Sequence, residues 1–476
     1  MTPRAPVVPV APVVLVDTGA AWIEGKVAQR AYPHIGLAYL AAALERAGHG
    51  VAIIDQAAAG LSGPETAARV LALRPHLLGI TAVAFHAGEA LELAASCRAA
   101  DPGLRIVVGG AHASAVPHEF LAAPGVVDAV VRGEGEDAIV ELAELTRLAR
   151  RGARGCGDGG RVFRDGLTLV AGAVWRTEGG ALARAPRRAW RLDLDELAPP
   201  NWGMYEYGRY VDITSPRFRQ RIWLYPIAGS RGCPYRCSFC FPSQGRRFRP
   251  RPPANVVAEM GLNLDRHGAR HFDFTDSNAT LDRERFLALC REVVARGLDR
   301  ELSWNFESRV DLVDPEVLGS ARAAGAELWC FGAESGDDAV LARMGKGITV
   351  AAIERAVIWA TAAGLRTKAS FIIGHPYETR ASLERTLDFA RNLRATYGMD
   401  LYFNLIDPYP ATPVHAMADR GRGGARWCPG QRDDWAVVLR SVPSLALGDL
   451  SAAELADAFE RRVAVIRALP AHTYYQ

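Results

Sequence analysis

The chain has no excess of charge of one sign. Its 476 residues include 56 Lys or Arg and 53 Asp or Glu, for a formal net charge of +3. Arginines gather at positions 246–251, but no basic block has the length that general nucleic-acid binding requires. No apolar run reaches the roughly 18 residues of a membrane span. These absences argue against a nucleic-acid partner and against a membrane protein.

Cysteine is also scarce. The sequence has eight cysteines, and most of them are scattered without the spacing of a disulfide framework. That pattern is typical of a reducing compartment, so we expect a cytoplasmic protein. Three cysteines are the exception, because Cys233, Cys237 and Cys240 stand together at spacing C-x3-C-x2-C.

The spacing of these three cysteines predicts a metal centre. Three thiolates in one short loop can hold three irons of a four-iron four-sulfur cluster and leave the fourth iron open to another ligand. Zinc is the alternative, but zinc sites favour paired C-x2-4-C knuckles or a distant H-x3-5-H. Neither pattern follows Cys240. A chance grouping of buried cysteines is the third interpretation.

Three motifs resemble those of the radical S-adenosylmethionine (SAM) enzymes. The cysteine loop has an aromatic residue, Phe239, just before its last cysteine, residues 332–336 read Gly-Ala-Glu-Ser-Gly, and residues 374–376 read Gly-His-Pro. The resemblance covers most of residues 221–410. It implies a [4Fe-4S] cluster, bound SAM and an electron donor of the flavodoxin or ferredoxin type. It also implies a 5′-deoxyadenosyl radical that takes a hydrogen atom from an unactivated carbon of a small-molecule substrate.

The same resemblance implies roles for residues at strand ends. Glu334 and Ser335 are expected to hydrogen-bond the ribose or the methionine end of SAM. A second loop is expected beside the amino and carboxylate groups of SAM, and an aromatic with a Gly-x-Pro turn beside its adenine. The loop residues are Asp276, Ser277 and Asn278, and the adenine residues are Phe239, Gly374 and Pro376.

Short β-branched runs alternate with helical patterns in residues 13 to 150. Strands are predicted at Val13–Asp17, Val51–Asp55, Leu77–Thr81, Arg105–Gly109 and Val127–Val131. This alternation is typical of a doubly wound, Rossmann-like parallel sheet that binds ligands at the carboxyl ends of its strands. The loop residues at those ends that we expect at a ligand site are Asp17, Gly109, Gly110, His112, Ser114, Gly133 and Glu134.

This segment resembles the cobalamin-binding domain that precedes many radical SAM domains. The likeness rests on residues 33–37 and on the Gly-Gly-x-His and Gly-Glu-Gly-Glu turns at 109–112 and 133–136. The D-x-H-x-x-G pattern that supplies a histidine ligand to cobalt in some cobalamin proteins is missing. Two interpretations stay open. The domain binds cobalamin without a histidine below the metal, or it no longer binds the cofactor.

From residue 222 the βα rhythm returns, and six strands predict a partial (β/α)6 TIM barrel. They are expected at Ile222–Ala228, His271–Thr275, Leu302–Glu307, Glu327–Ala333, Thr367–Ile373 and Leu401–Ile406. We therefore predict a cobalamin-binding-like domain at 1–150, a linker at 151–220, a radical SAM barrel at 221–410 and a C-terminal helical region at 411–476. The linker begins with a glycine-rich loop at 151–160 and contains a hairpin of Leu167–Ala171 with Ala173–Arg176. An amphipathic C-terminal helix covers the barrel or forms a homodimer contact.

The motifs leave the fate of the substrate radical open. The chain ends soon after the barrel and is rich in Ala and Arg. On these associations we put first the radical dehydration of a sugar diol in aminoglycoside antibiotic biosynthesis, which with a partner reductase gives deoxygenation. If cobalamin is bound, C-methylation in secondary metabolism is the alternative. A non-catalytic cobalamin or iron-sulfur module is a third hypothesis. A dehydratase needs a group that protonates the departing hydroxyl, and the candidates at strand ends are Glu307, His375 and Asp407.

Overall fold

The computed structural model describes residues 12–434 and 442–470, apart from short gaps at 20–21, 24–25, 28–31, 155–157, 211, 216–217 and 219. The chain divides into two compact units, residues 1–210 and 211–476. Each unit is built around one twisted sheet of seven strands.

The sheet of the first unit begins with five parallel strands. They are β1 (Val13–Asp17), β2 (Val51–Asp55), β3 (Leu77–Thr81), β4 (Arg105–Gly109) and β5 (Ala129–Val131). The order across the sheet is β2-β1-β3-β4-β5. All five residues of β1 are buried, as expected for a parallel strand covered on both faces. The predicted doubly wound sheet is confirmed, although β5 starts two residues later than the sequence pattern indicates.

Helices cover both faces of this sheet. They are α1 (Ile35–Arg46), α2 (Gly63–Ala72), α3 (Ala87–Ala100), the short α4 (Ala111–Ala115) and α5 (Pro117–Phe120), α6 (Glu136–Arg154) and α7 (Gly159–Gly166).

The segment predicted as a loop at 151–160 is largely helical, so that prediction is wrong. Helix α6 continues through Arg154, and α7 begins at Gly159 because the Asp158 side chain caps its first turn. Residues 155–157 lie outside the described part of the chain. A Cβ at Gly166 would stand 2.2 Å from a Leu145 methyl group. Glycine therefore lets α7 pack closely against α6.

The predicted hairpin is half right. Residues Leu167–Leu169 form a 3-10 turn, and β6 (Ala173–Arg176) pairs instead with β7 (Leu182–Arg184). Strand β6 also pairs antiparallel with β5, so both strands extend the first sheet. A short apolar run such as 167–171 fits a strand or a helical turn equally well, and packing decides between them.

The second sheet is the predicted partial barrel. An antiparallel edge strand, β8 (Asp212–Ser215), precedes six parallel strands in chain order. These strands are β9 (Gln220–Ile227), β10 (His271–Phe274), β11 (Ser303–Glu307), β12 (Ala326–Glu334), β13 (Arg366–Ile373) and β14 (Asp400–Leu405). All six predicted strands are confirmed within three residues of their bounds. The described sheet stays open, with β8 and β14 at its edges.

Helices follow each of the six parallel strands. They are α8 (Pro253–His267), α9 (Arg283–Ala295), α10 (Pro315–Ala323), α11 (Asp338–Arg343), α12 (Val350–Ala362), α13 (Arg380–Tyr397) and α14 (Pro413–Asp419). Along β13, Thr367, Ala369, Phe371 and Ile373 are buried and the residues between them are not. This alternation points one set toward the helices and leaves the other on the concave face.

The C-terminal segment packs on the barrel unit. It consists of α15 (Ala452–Asp457), a π-helical turn (Ala458–Arg462) and α16 (Val463–Arg467). The Arg394 side chain on α13 donates hydrogen bonds to the carbonyl oxygens of Arg467 and Leu469. Covering the barrel is therefore confirmed, and a homodimer contact stays a prediction. Among the helices within the described ranges, none combines the length and the apolar character that crossing a membrane demands.

Candidate functional site

The cysteine loop follows β9 and is closed by its own backbone. Ser230–Arg231 pairs antiparallel with Arg249–Pro250, and the Cys233 amide donates to the Gly245 carbonyl oxygen at 3.1 Å. Gly232 has φ +86°, and a Cβ on it would stand 2.1 Å from the Arg247 carbonyl oxygen. The turn that presents the cysteines therefore requires glycine at this position.

The loop forms one side of a cavity of about 500 Å³ at the carboxyl end of the barrel sheet. Eight of the predicted site residues line this cavity: Cys233, Cys237, Cys240, Phe239, Ser277, Asn278, Glu307 and Glu334. Residues from the loops after β9 and β10 and from the ends of β11 and β12 thus meet in one place. The volume suits a small molecule.

The three thiols fit a cluster better than a single ion. The described cysteines are free, and Cys237 and Cys240 are close enough to Cys233 for mutual charge repulsion to add to the burial that raises their pKa values. Among the described residues, no three His, Cys, Asp or Glu side chains converge tightly enough to hold one metal ion. A four-iron cluster, which is larger than an ion, is the group that three separated thiolates can share. The zinc alternative is therefore not supported.

Asn278 and Arg309 stand beside the cysteines. The Asn278 side-chain amide donates to Cys233 Sγ at 3.1 Å, a contact that would orient this thiolate and stabilise its charge. The Arg309 guanidinium lies 3.7 Å from the centre of the Tyr235 ring and forms an ion pair with Asp311. Sequence reasoning did not find Arg309, because nothing around it resembles a motif.

Glu334 is held in a strained turn at the end of β12. Its backbone has φ +63°, which a non-glycine residue adopts rarely, and the register between β12 and β13 shifts at this point. The carboxylate is buried and accepts a hydrogen bond from Lys346 Nζ at 2.8 Å. A Cβ on Gly332 would lie 1.9 Å from Glu334 Oε1, so Gly332 makes room for the carboxylate. Lys346 is a second residue that the motifs did not reveal.

Glu307 lies at the end of β11 and faces the cavity, to which its side chain is exposed. The surrounding protein still raises the pKa of its carboxyl by desolvation, while the nearby Lys368 ammonium opposes that rise. Of the three acid-base candidates, Glu307 is the one positioned at the cavity.

The other two candidates lie elsewhere. His375 is fully buried, its Nε2 is 2.8 Å from Ser238 Oγ, and its Nδ1 donates to the Pro376 carbonyl oxygen at 2.7 Å. Burial lowers the pKa of His375 to about 4, so the ring is neutral at physiological pH. Asp407 accepts a hydrogen bond from Ser444 Oγ at 3.4 Å. Neither side chain lines the cavity: His375 braces the cysteine loop from behind, and Asp407 holds the segment at Ser444.

Two predicted SAM residues support the site from behind. Asp276 is buried and accepts hydrogen bonds from the Gly229 amide and from Ser230 Oγ, which ties the β10 loop to the base of the cysteine loop. Ser335 is buried and hydrogen-bonds Thr386 Oγ1 at 3.0 Å on α13. Their positions are structural, and the direct SAM contacts predicted for them remain predictions.

Gly374 and Pro376 also lie outside the cavity. Gly374 has φ +90°, and a Cβ on it would lie 3.3 Å from Ile406 and 3.5 Å from Leu455 of α15. Its amide donates to the buried Glu378 carboxylate at 2.5 Å. The turn thus joins β13 to the C-terminal segment. The contact of Gly374 and Pro376 with the adenine of SAM remains a prediction.

The predicted ligand loops of the first unit meet at the carboxyl edge of its sheet. The Gly133 amide donates to Ser114 Oγ at 3.0 Å, which joins the loops after β4 and β5. Gly110 has φ +100°, and a Cβ on it would lie 2.6 Å from the Ala82 carbonyl oxygen. Glu134 accepts a hydrogen bond from the Arg191 amide at 3.4 Å. Asp17 and Gly109 end β1 and β4 at the same edge.

Histidines at this edge are engaged by the protein. His112 is buried with Nε2 at 3.0 Å from Glu119 Oε2, and His34 Nδ1 accepts from the Leu37 amide as the cap of α1. Each of these two ring nitrogens is therefore already engaged by a group of the protein. That a bound cobalamin would have no histidine below cobalt stays a prediction.

Comparison with known proteins agrees with both units. Residues 25–143 match the family model described as the B12 binding domain, and residues 227–390 match that of the radical SAM superfamily. The "Uncharacterized methyltransferase PH0819" of Pyrococcus horikoshii is 30% identical over 388 residues, covering 81% of this chain and 78% of that protein. The chain belongs to the B12-binding radical SAM proteins. The cofactors that follow from this family are a [4Fe-4S] cluster, SAM and cobalamin.

Two further similarities place this radical SAM protein among its relatives. The anaerobic magnesium-protoporphyrin IX monomethyl ester cyclase of Rubrivivax gelatinosus is 29% identical over 79% of this chain, which spans 64% of the cyclase. The structure of the radical SAM methyltransferase TsrM from Kitasatospora setae, with cobalamin and a [4Fe-4S] cluster bound, superposes with a TM-score of 0.66. It has 23% sequence identity over 88% of this chain and 79% of that chain. At this identity the structural likeness concerns the fold.

Proposed function

We propose that this radical SAM protein is a cobalamin-dependent C-methyltransferase that acts on a small molecule. The observation that carries the proposal is the combination, in one chain, of a B12-binding domain with a cavity formed by three free thiols and a buried Glu334. Two of the relatives named above, from Pyrococcus horikoshii and Kitasatospora setae, are described as methyltransferases.

Six cavity residues have a specific place in this proposal. Cys233, Cys237 and Cys240 would hold the cluster, and Asn278 would orient the Cys233 thiolate. Glu334, fixed by Lys346, would accept hydrogen bonds from SAM at the open side of the cluster. When bound, the cluster with SAM supplies radical chemistry and cobalamin supplies a methyl group. The remaining walls exclude water and hold the substrate carbon in position, which is most of what such a reaction asks of a protein.

The relatives favour this reading over the diol dehydration predicted first from the sequence. A dehydration would rest on Glu307 as the acid, since it is the candidate that faces the cavity. The aminoglycoside substrate, the partner reductase and the antibiotic pathway stay predictions without further support. An electron donor of the flavodoxin or ferredoxin type is part of the methyltransferase proposal as well.

Cofactor content tests the proposal directly. The protein is purified without oxygen from cobalamin-fed cells and reconstituted with iron and sulfide, and its iron, sulfide and corrinoid are measured per chain. We expect about four irons and one tightly bound corrinoid, with iron lost when all three cysteines are changed to Ala. A protein that holds four irons but no corrinoid would reject the methyltransferase proposal and favour the dehydration hypothesis. Iron retained by the triple variant would overturn both.

A further inference from the structure

We infer that the concave faces of β11, β13 and β14 form the substrate-recognition wall of the cavity and that they take a small zwitterion of the amino-acid type. Glu307 would pair with its ammonium group and Lys368 with its carboxylate. The inference rests on the proposed function, since it names the substrate class of the same cavity.

The strand register places the two charges in one row. Glu307 of β11 is aligned with Cys330 of β12, and Cys330 is aligned with Lys368 of β13. Neighbouring strands are about 4.8 Å apart, so the backbones of Glu307 and Lys368 are separated by about 10 Å. All three side chains line the cavity. A molecule of a few heavy atoms can therefore lie between the carboxylate and the ammonium group.

Neither charge has a hydrogen-bond or ion-pair partner among the described residues. Among the residues that the structure describes, no hydrogen-bond or ion-pair partner is found for the Glu307 carboxylate or for the Lys368 ammonium group, which stand too far apart to form an ion pair with each other. Fully buried charges are normally paired, whereas a charge that faces an open cavity is available to a ligand. The other charged side chains of the cavity are engaged by the protein: Lys346 pairs with Glu334 at 2.8 Å, Arg309 pairs with Asp311 at 2.9 Å, and Arg246 donates to the Tyr235 carbonyl oxygen. One anionic and one cationic group thus remain for the ligand.

Neighbouring side chains support a polar ligand. The Lys368 ammonium lies 4.0 Å from the centre of the Tyr402 ring, which restricts its position by a cation-π contact. Ser370 and Asn404 add a hydroxyl and an amide to the same wall. An apolar substrate would leave both charges without partners, and a simple anion would be repelled by Glu307. A zwitterion satisfies both.

The test is a binding measurement that needs no turnover. Full-length, cluster-reconstituted protein with SAM is titrated by calorimetry with the standard L-amino acids, each as the free amino acid, the methyl ester and the N-acetyl derivative. We expect at least one free amino acid to bind about tenfold or more tightly than its ester and its N-acetyl form, because each derivative loses one charge-assisted contact.

Single variants test which cavity residue contacts each charged group of the ligand. Lys368→Met should bind the ester and the free acid equally, and Glu307→Gln should bind the N-acetyl form and the free amine equally. Arg366→Met, on the same strand but outside the cavity and facing Asp400 at 3.9 Å, is the matched control and should keep both preferences. Iron content and circular dichroism show whether each variant is folded.

The outcomes separate this inference from the proposed function. Wild-type protein that prefers free amino acids but holds no corrinoid would support the inference and reject the methyltransferase. The inference is overturned if no amino acid binds, if the esters bind as well as the acids, or if the folded variants keep the wild-type preferences.

Discussion

Replacing Lys346 by Met would leave the Glu334 carboxylate buried without its ion-pair partner. The two side chains are 9% and 7% exposed, and Lys346 Nζ lies 2.8 Å from Glu334 Oε1. Methionine has nearly the length of lysine, so the change removes the charge and keeps most of the packing. Loss of one partner from a buried pair costs about 3–5 kcal/mol, because the remaining charge is left desolvated.

An exposed pair gives the matched control. Arg391 Nη1 and Asp388 Oδ1 are 2.7 Å apart, nearly the same distance, but these side chains are 44% and 59% exposed. Exposed pairs contribute about 0–1 kcal/mol, so Arg391→Met should change stability by less than about 1 kcal/mol. The contrast between the two variants isolates burial as the cause.

Hydrogen exchange by mass spectrometry, read on peptides from β12 and β13, measures the opening free energy of the second unit. This local readout is needed because the chain has two compact units and a whole-protein signal would mix their transitions. Adding Glu334→Gln should recover part of the loss. A Lys346→Met effect equal to that of Arg391→Met, or no recovery on adding Glu334→Gln, would refute the reasoning.

Two further changes test other parts of the barrel unit. Burial raises the pKa of Glu378 to about 7, above its unfolded value of about 4.3, so the stability it contributes is complete below pH 4 and is lost as pH rises through 7. That difference corresponds to at most about 4 kcal/mol. Glu378→Gln should therefore flatten the pH dependence, between pH 5 and 8, of the opening free energy that hydrogen exchange reports for peptides of the second unit, and an unchanged slope would contradict this. Gly232→Ala places a Cβ 2.1 Å from the Arg247 carbonyl oxygen and should reduce the iron content after reconstitution severalfold. Gly268→Ala is the control, because Gly268 also has a positive φ, +65°, but nothing lies within 4 Å of its added Cβ, and this variant should retain its iron. Equal iron content in the two variants would contradict the role of the turn.

Local sequence was sufficient for the cysteine loop and for the positions of the parallel strands in both sheets. Cys233, Cys237 and Cys240 lie within eight residues, so the chain brings them together whatever the rest of the fold does. Period-two and βα patterns likewise report which stretches are buried, and they placed the barrel strands within three residues. The errors fell at 151–171, where glycine content and a short apolar run gave no periodic signal.

Motif membership did not decide which side chains face the cavity. Glu334 and Ser335 are neighbours in one motif, yet Glu334 lines the cavity and Ser335 packs on Thr386. Successive residues at a strand end point in opposite directions, so the direction depends on the twist and on the bulge at the end of β12.

The sequence by itself determined the α/β architecture of both units and the grouping of three cysteines in one loop, because both depend on periodicity and on short spacing along the chain. Only the tertiary structure decided the partner of Glu334 and the row formed by Glu307, Cys330 and Lys368. Those residues come from separate elements, and parallel register across three strands brings them together. Long-range pairing of this kind leaves no local pattern, since each residue alone reads as an ordinary polar position on a half-buried strand.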